Sequence, residues 1–276
     1  MDARPPRAAD AAALLAAYDA QLRTDAEVAG ALAVERAGPL LIATFPGGRG
    51  FVTYRNLGVA DDAAGAERLR DLVALAVAHL DADPSLVEVE WKTRGHDIAP
   101  GLHDALLDAG FEAEEPESIM IGEARALIGA PTPPGVVIRR VTAPDEVRAA
   151  SFCTDRGFGV APDAARADER VESVARGAGS TDCTQMWVAE VDGQMVSAGR
   201  LEPVTGTEFA GIWGGATIPE FRGRGIYRAV LAARAEAALS IGRTLIHSDS
   251  TEDSRPILER SGFVRVSTTT PYVRRR

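Results

Sequence analysis

The sequence predicts an α/β (α+β) chain of two domains in tandem, each with a mixed, mostly antiparallel central sheet flanked by helices. Three observations predict it. The segment Pro131-Thr132-Pro133-Pro134-Gly135 cuts the 276 residues near their middle, and so many prolines and a glycine together extend neither a helix nor a central strand. Strand-like and helix-like stretches alternate on both sides of it. The order of elements also recurs: Gly110-Phe111 and Gly262-Phe263 lie 152 residues apart and the two long periodic helices about 160 apart, as in a duplicated unit. The expected boundaries are a domain over 1–130, a linker over 131–135 and a second domain over 136–276.

The elements follow in order. Ala8 to Leu22 reads as an Ala/Leu-rich helix, and Leu32 to Phe45 and Phe51 to Leu57 as strands. Glu67 to Leu80 is a periodic helix with Leu69, Leu72, Val73 and Val77 on its apolar face. Leu86 to Trp91 is a strand, Leu102 to Leu107 a helix, and Gly110-Phe111 opens a strand that runs through Ile121. Beyond the linker, Val136 to Arg140 is a strand and Ala143 to Phe152 a helix opened by Pro144-Asp145. Two β-branched runs from Gln185 to Leu201 flank Asp192-Gly193, a strong hairpin signal because both positions tolerate positive φ. Glu208 to Ile218 is a strand whose Gly214-Gly215 marks a bulge or a close backbone approach. Ile226 to Leu239 is a helix, Thr244 to His247 a short strand, Ser254 to Arg260 a short helix, and Phe263 to Val273 a closing strand or hairpin.

Charge narrows the partners. Residues 1–128 carry 22 Asp/Glu against 11 Lys/Arg and residues 129–276 carry 18 against 19, so all the net acidity lies in the first half. A nucleic-acid binder needs a basic stripe, and the only compact one is the terminal Arg274 to Arg276, read as a solvated tail. Neither a leader pattern nor a membrane-length apolar run stands out, so a cytoplasmic, membrane-free protein is expected. Cys153 and Cys183 are too few and too far apart for a metal or redox motif, and His96 and His103 read as exposed residues rather than metal ligands.

The run Pro219-Glu220-Phe221-Arg222-Gly223-Arg224-Gly225-Ile226-Tyr227 stands between a strand and a long helix. There the first helical amides have no intrahelical partner and the helix dipole attracts anions, while Gly223 and Gly225 let the backbone curl round a diphosphate. A P-loop would need Gly-Lys-Ser/Thr, and the chain's only lysine is Lys92; a dinucleotide fingerprint would need a third glycine where Arg228 stands.

With Arg222, Gly225 and Tyr227 at the defined positions of an Arg/Gln-x-x-Gly-x-Gly/Ala loop, and Ser254-Arg255-Pro256-Ile257-Leu258-Glu259-Arg260-Ser261 running into Gly262-Phe263, the sequence resembles the GNAT superfamily of acetyl-CoA-dependent N-acetyltransferases. The resemblance covers about 136–273 and extends faintly over 1–128, as in tandem members. It implies two GNAT-like domains, the first degenerate, with acetyl-CoA as cofactor and a small-molecule or peptide amine as acceptor. It further implies that Ala216, Thr217 and Ile218 pair with the pantetheine arm, that amides of Arg222, Gly223, Arg224, Gly225, Ile226 and Tyr227 hold the pyrophosphate, and that Ser254 lies near the thioester. The tyrosine that many members use as acid is replaced by Leu258, which leaves Tyr227, Ser254, a water or no acid, and opens the alternative of a non-catalytic acyl-CoA-binding or sensor protein. Tyr227, in place of a small residue, is expected to narrow the loop or turn its ring outward. Candidate bases are Glu208, His247 with Asp249 beside it, and, more weakly, Glu202. In the first half Asp61-Asp62-Ala63-Ala64-Gly65-Ala66 stands where the phosphate loop would be, with two carboxylates that suit a helix N-terminus and not a diphosphate. The acidic half is expected either to steer cationic amines or only to keep the chain soluble.

Overall fold

The computed structural model describes residues 8–176, 179–180 and 182–275. The first half runs through α1 (Ala8–Gln21), β1 (Ala33–Ala37), β2 (Leu40–Phe45), β3 (Arg49–Tyr54), α2 (Ala63–Asp81), β4 (Glu88–Lys92), α3 (Leu102–Asp108), β5 (Glu112–Ala113), β6 (Glu117–Glu123) and α4 (Ala124–Leu127). The second half runs through β7 (Val136–Val141), α5 (Pro144–Phe158), α6 (Ala164–Arg176), β8 (Gln185–Val191), β9 (Gln194–Pro203), β10 (Phe209–Thr217), α7 (Ile226–Ser240), β11 (Leu245–Ser250), α8 (Arg255–Arg260), β12 (Val264–Thr269) and β13 (Pro271–Arg275). The architecture is mixed α/β, two sheets flanked by helices, as the alternation of patterns predicts.

One sheet has six strands in the order β1-β2-β3-β4-β13-β5, the other seven in the order β12-β6-β11-β10-β9-β8-β7. Strands β7 to β10 form an antiparallel meander. Its first hairpin closes at Asp192 (φ 51°) and Gly193 (φ 77°), the pair of positive φ values that a tight two-residue loop requires.

Two strands leave the half they are written in. β6 enters the seven-stranded sheet, and β13 enters the six-stranded one between β4 and β5, with Tyr272 opposite Trp91 on β4 and Ala113 on β5. The single strand expected from Gly110 through Ile121 is therefore two, separated at Pro116, and no closing hairpin forms between Phe263 and Val273. Both breaks fall at a proline, Pro116 and Pro271, which cannot donate to a ladder. Arg274 and Arg275 are not a loose tail: within β13 they meet Asp81 and Glu88 at 2.9 Å each, while Arg276 lies outside the described residues. As a result the chain divides into two compact units that are discontinuous in sequence. One comprises Met120–Ser248 and Pro256–Val264, the other 8–119, Asp249–Arg255 and 265–275, and the segment 131–135 lies inside the first of them.

The unit built on 8–119 has one main core. Leu69, Leu72, Val73, Ala76 and Leu80 of α2 pack on Leu40, Ile42, Val52, Tyr54 and Trp91. Burial of each large apolar side chain contributes about 1.5–3 kcal/mol. The unit built on 120–248 has a core on each sheet face. Val147, Ala150 and Cys153 of α5 pack on Val188, Val196 and Ala198; Leu231, Ala235 and Ala238 of α7 pack on Leu201, Ala210, Ile212 and Ile246.

Candidate active site

The loop between β10 and α7 is shaped by its own side chains. After Thr217 a short turn, Pro219–Phe221, is closed by the Phe221 and Arg222 amides donating to Ile218 O and Pro219 O. Gly223 and Gly225 then adopt φ of 74° and 79°, a left-handed conformation that glycine enters without steric cost. Gly225 is the N-cap of α7 and offers no side-chain acceptor, so the first amides of a 15-residue helix are left for an external anion. A Cβ on Gly223 would meet nothing within 4 Å, and one on Gly225 only Pro133 Cγ at 3.9 Å. The cradle is open.

Arginines surround it. Arg222 donates from Nε to Thr217 O at 3.1 Å and from Nη2 to Gly157 O at 2.5 Å, pinning the loop to the end of α5. Arg224 lies over the Phe221 ring, 4.8 Å from its centroid, and donates to Glu220 O. Glu220, the local carboxylate, is bonded to Arg156 at 2.7 Å, and its own backbone together with that arginine holds its pKa below the usual range. Free helical amides, open glycines and cationic side chains fit a diphosphate.

The strand leading into the loop is incompletely paired. β10 runs parallel to β11 only through Phe209, Ala210 and Gly211, opposite Leu245, Ile246 and His247, and then continues to Thr217. Of the residues expected to pair with a pantetheine arm, Ala216 O accepts from Ser197 Oγ at 2.8 Å, Thr217 O from Arg222, and the Ile218 amide donates to Val196 O at 2.9 Å. On the other edge Trp213 pairs with Arg200 and Ala216 with Ala198, so Gly214 and Gly215 bulge out opposite Gly199.

At the last paired residue three strands bring side chains into a row. Gly211 stands between Glu202 on β9 and His247 on β11. The Trp213 indole lies over Gly211, where a Cβ would be 2.5 Å from Nε1. His247 meets Trp213 and Phe209 edge to face at 5.3 and 5.9 Å, and Glu202 accepts from Arg200 Nε at 2.8 Å. Trp213 is therefore both packed and part of this row.

The remaining candidates stand elsewhere. Glu208 is exposed at the far end of β10 from the loop, with Thr244 Oγ1 at 3.4 Å, about 10 Å along the strand from Gly211. Asp249, two residues beyond His247 on β11, is ion-paired with Lys92 at 2.6 Å. Ser254 has its Oγ bonded to Ser250 Oγ at 2.7 Å. Leu258 is 2% exposed within the α7-side core. Tyr227 does not turn outward; its ring lies against β10, where a Cβ on Gly215 would be 3.0 Å from it. His96 is half-buried between Asp19 and Ser267, while His103 is exposed, as expected, and bonds Tyr272 Oη. Cys153 and Cys183 are buried free thiols. No metal-binding group of His, Cys, Asp and Glu, and no helix long and apolar enough to cross a membrane, occurs among the described residues.

Sequence reasoning missed Arg234, fully buried on α7 beneath the β10 bulge. Its signal is indirect: Gly199, Gly214 and Gly215 remove side chains from two central strands where strand propensity favours larger residues.

Residues 151–263 match the model of the Acetyltransferase (GNAT) family. No curated protein matches the sequence significantly. Among solved structures the chain is similar to a GCN5-related N-acetyltransferase from Kribbella flavida, at 18% identity over 99% of this chain and 96% of that one, with a TM-score of 0.64. It is also similar to a GCN5-related N-acetyltransferase from Sphaerobacter thermophilus, at 14% identity over 99% and 94%, TM-score 0.61. A third is a tandem GNAT protein from the clavulanic acid biosynthesis pathway, at 16% identity over 87% and 81%, TM-score 0.57. At these identities the likeness speaks to the fold.

Proposed function

From the match of residues 151–263 to the GNAT acetyltransferase family model, we propose that the chain is an N-acetyltransferase that moves the acetyl group of acetyl-CoA to the amine of a small molecule or peptide by direct attack. The observation that carries this reading is the uncapped N-terminus of α7 behind two left-handed glycines, at the end of a strand whose parallel pairing stops at Gly211 while both strands run on. Bound acetyl-CoA supplies an activated acyl carbon, and attack of an amine nitrogen there gathers negative charge on the carbonyl oxygen and on the departing thiolate.

The chain's residues divide the work. The amides of Arg222 to Tyr227 bind the diphosphate, and Arg222 keeps the loop in that shape through the Thr217 and Gly157 carbonyls. His247, opposite Gly211 and facing Trp213, takes the proton of the attacking amine. Glu202, across Gly211, orients the amine. Glu208 is the weaker base because it sits at the strand's other end, and Ser254 is tied up with Ser250. A thiolate is a tolerable leaving group near neutral pH, so no acid is needed at position 258.

The buried Leu258 favours one second reading, a CoA-binding sensor without turnover. Calorimetric titration with CoA, and release of free thiol from acetyl-CoA over a panel of amines, decide between them. Binding with turnover supports the enzyme, binding without turnover on any amine supports the sensor, and absence of binding removes both.

A further inference from the structure

Arg234 has no task in the reading above. It sits mid-helix in α7, 1% exposed. Its Nη1 donates to Arg200 O at 3.1 Å, while Nε and Nη2 have no hydrogen-bond partner. The charged or titratable groups it feels are Tyr227 and Arg200, not a carboxylate, and burial pulls its pKa down against the phenol's opposing pull. A guanidinium in that state weakens folding, since its desolvation is offset only by the Arg200 carbonyl and the pull of the neighbouring Tyr227 phenol, with no carboxylate beside it.

Its surroundings are nonetheless shaped to receive it. A Cβ on Gly199 would stand 2.7 Å from Nη1, and one on Gly215 3.2 Å from Nη2 and 3.0 Å from the Tyr227 ring. These glycines are the two sides of the bulge at which β10 departs from regular pairing with β9. Tyr227 and Arg234, seven residues apart, lie on one face of α7. Two central strands thus give up side chains to admit a buried cation with no carboxylate beside it, beneath the stretch of β10 past its last pair with β11.

We propose that Arg234 is a positioning residue for acyl transfer: a buried cation behind the Gly214–Gly215 bulge whose field stabilises the negative charge gathered on oxygen and sulfur when an amine attacks a thioester lying along that strand. The proposal rests on the acetyl-transfer reading. A fixed charge in a low-dielectric core acts at longer range than one in water and needs no reorganisation as the reaction proceeds. Arg234 spends its hydrogen bond on Arg200 O and makes none to Arg222–Ile226, so the effect is expected on chemistry more than on CoA affinity.

The test replaces Arg234 by Met, Gln and Lys and reads melting temperature, CoA dissociation constant, and kcat and KM for the best amine. R234M is expected to melt no lower than the parent, to bind CoA within about threefold, and to lose at least about tenfold in kcat with little change in KM. R234Q gives the same reading should R234M not fold, and R234K, which restores the charge, recovers most of the lost rate. Neutral variants that keep the parental kcat overturn the proposal and leave the acetyl-transfer reading standing; a parent chain that binds no CoA overturns both.

Discussion

Two helices begin at comparable places after their strands and treat an approaching anion in opposite ways. α2 starts at Asp62, whose carboxylate accepts from the Gly65 amide at 2.8 Å. α7 starts at Gly225, with no side-chain acceptor and both loop glycines open to solvent. The first helix carries its own anion and the second leaves its first amides without a side-chain cap. The strands tell the same story. β3 pairs with β4 from Arg49 to Val52, within two residues of its end at Tyr54, and Arg94 beyond the ladder donates to Thr53 Oγ1 at 3.0 Å. β10 leaves its parallel partner after Gly211, six residues before its end at Thr217. On the proposed reading, the same order of elements serves packing in one half and ligand binding in the other, and the difference lies in one cap and one ladder.

The sharpest way to break this comparison is Gly225→Val. A β-branched residue at φ near 79° costs about 1–3 kcal/mol, and relaxing it re-aims the amides that define the cradle. CoA affinity is expected to fall roughly ten- to a hundredfold, while the far-UV spectrum is unchanged because the space around Gly225 is free. Titration calorimetry on the folded variant reads this directly, and full affinity would move the cofactor elsewhere.

His247→Gln comes next. With the proton acceptor gone but the ring's place between Phe209 and Trp213 roughly kept, kcat with an amine acceptor is expected to fall about ten- to a hundredfold with CoA binding intact. An equal loss in Glu208→Gln and none in His247→Gln would relocate the base to the other end of β10.

Capping is the milder half of the contrast. Asp62→Ala is expected to destabilise by about 0.5–2 kcal/mol, and native mass spectrometry is expected to count one CoA per chain before and after the change. Removing the carboxylate does not open the β3–β4 ladder, so a second CoA in Asp62→Ala would show that the cap alone kept the first half empty.

Much of this contrast was legible in the sequence. Two carboxylates at 61–62 against Gly223 and Gly225 are chemical differences at positions fixed by the strand-to-helix pattern, and the Asp192-Gly193 turn needs no tertiary context. The strand exchange was not legible, because β6 and β13 have the apolar content of any sheet strand and nothing local states which sheet completes them; only Pro116 and Pro271 hinted that the chain breaks there. α6 was missed because its apolar face is thin, with Ala167 and Val174 as its buried residues. The sequence places Asp249 beside His247, since residues two apart on one strand share a face, but nothing local points to Lys92, 157 positions away, as its ion-pair partner.

The smallest expected effect sets the two sheets against each other in their response to pH. Glu90 on β4 has its pKa raised from 4.5, first by burial; Lys92 opposes the shift, and Asp249, Glu114 and Glu27 add to it. Glu190 on β8 has its pKa lowered, first by its hydrogen bonds with Arg139, at 2.7 and 3.1 Å. The signs follow from which state holds the proton more tightly. Below the ordinary carboxylate pKa Glu90 is protonated folded and unfolded; as pH rises through that value and on to the folded one, the unfolded chain ionises more easily and stability falls. Glu190 does the reverse: its contribution is complete above the ordinary pKa and is lost as pH falls through the lowered one. Relative to the parent, Glu90→Gln is therefore expected to gain stability as pH rises from about 4 toward neutrality, and Glu190→Gln to lose it. The second loss should be roughly 0.2–1 kcal/mol, since the Arg139 pair is partly exposed, and should shrink in acid. Denaturant titrations of both variants across this range check the signs, and a common sign would show that burial at β4 and ion pairing at β8 do not set the two carboxylates apart.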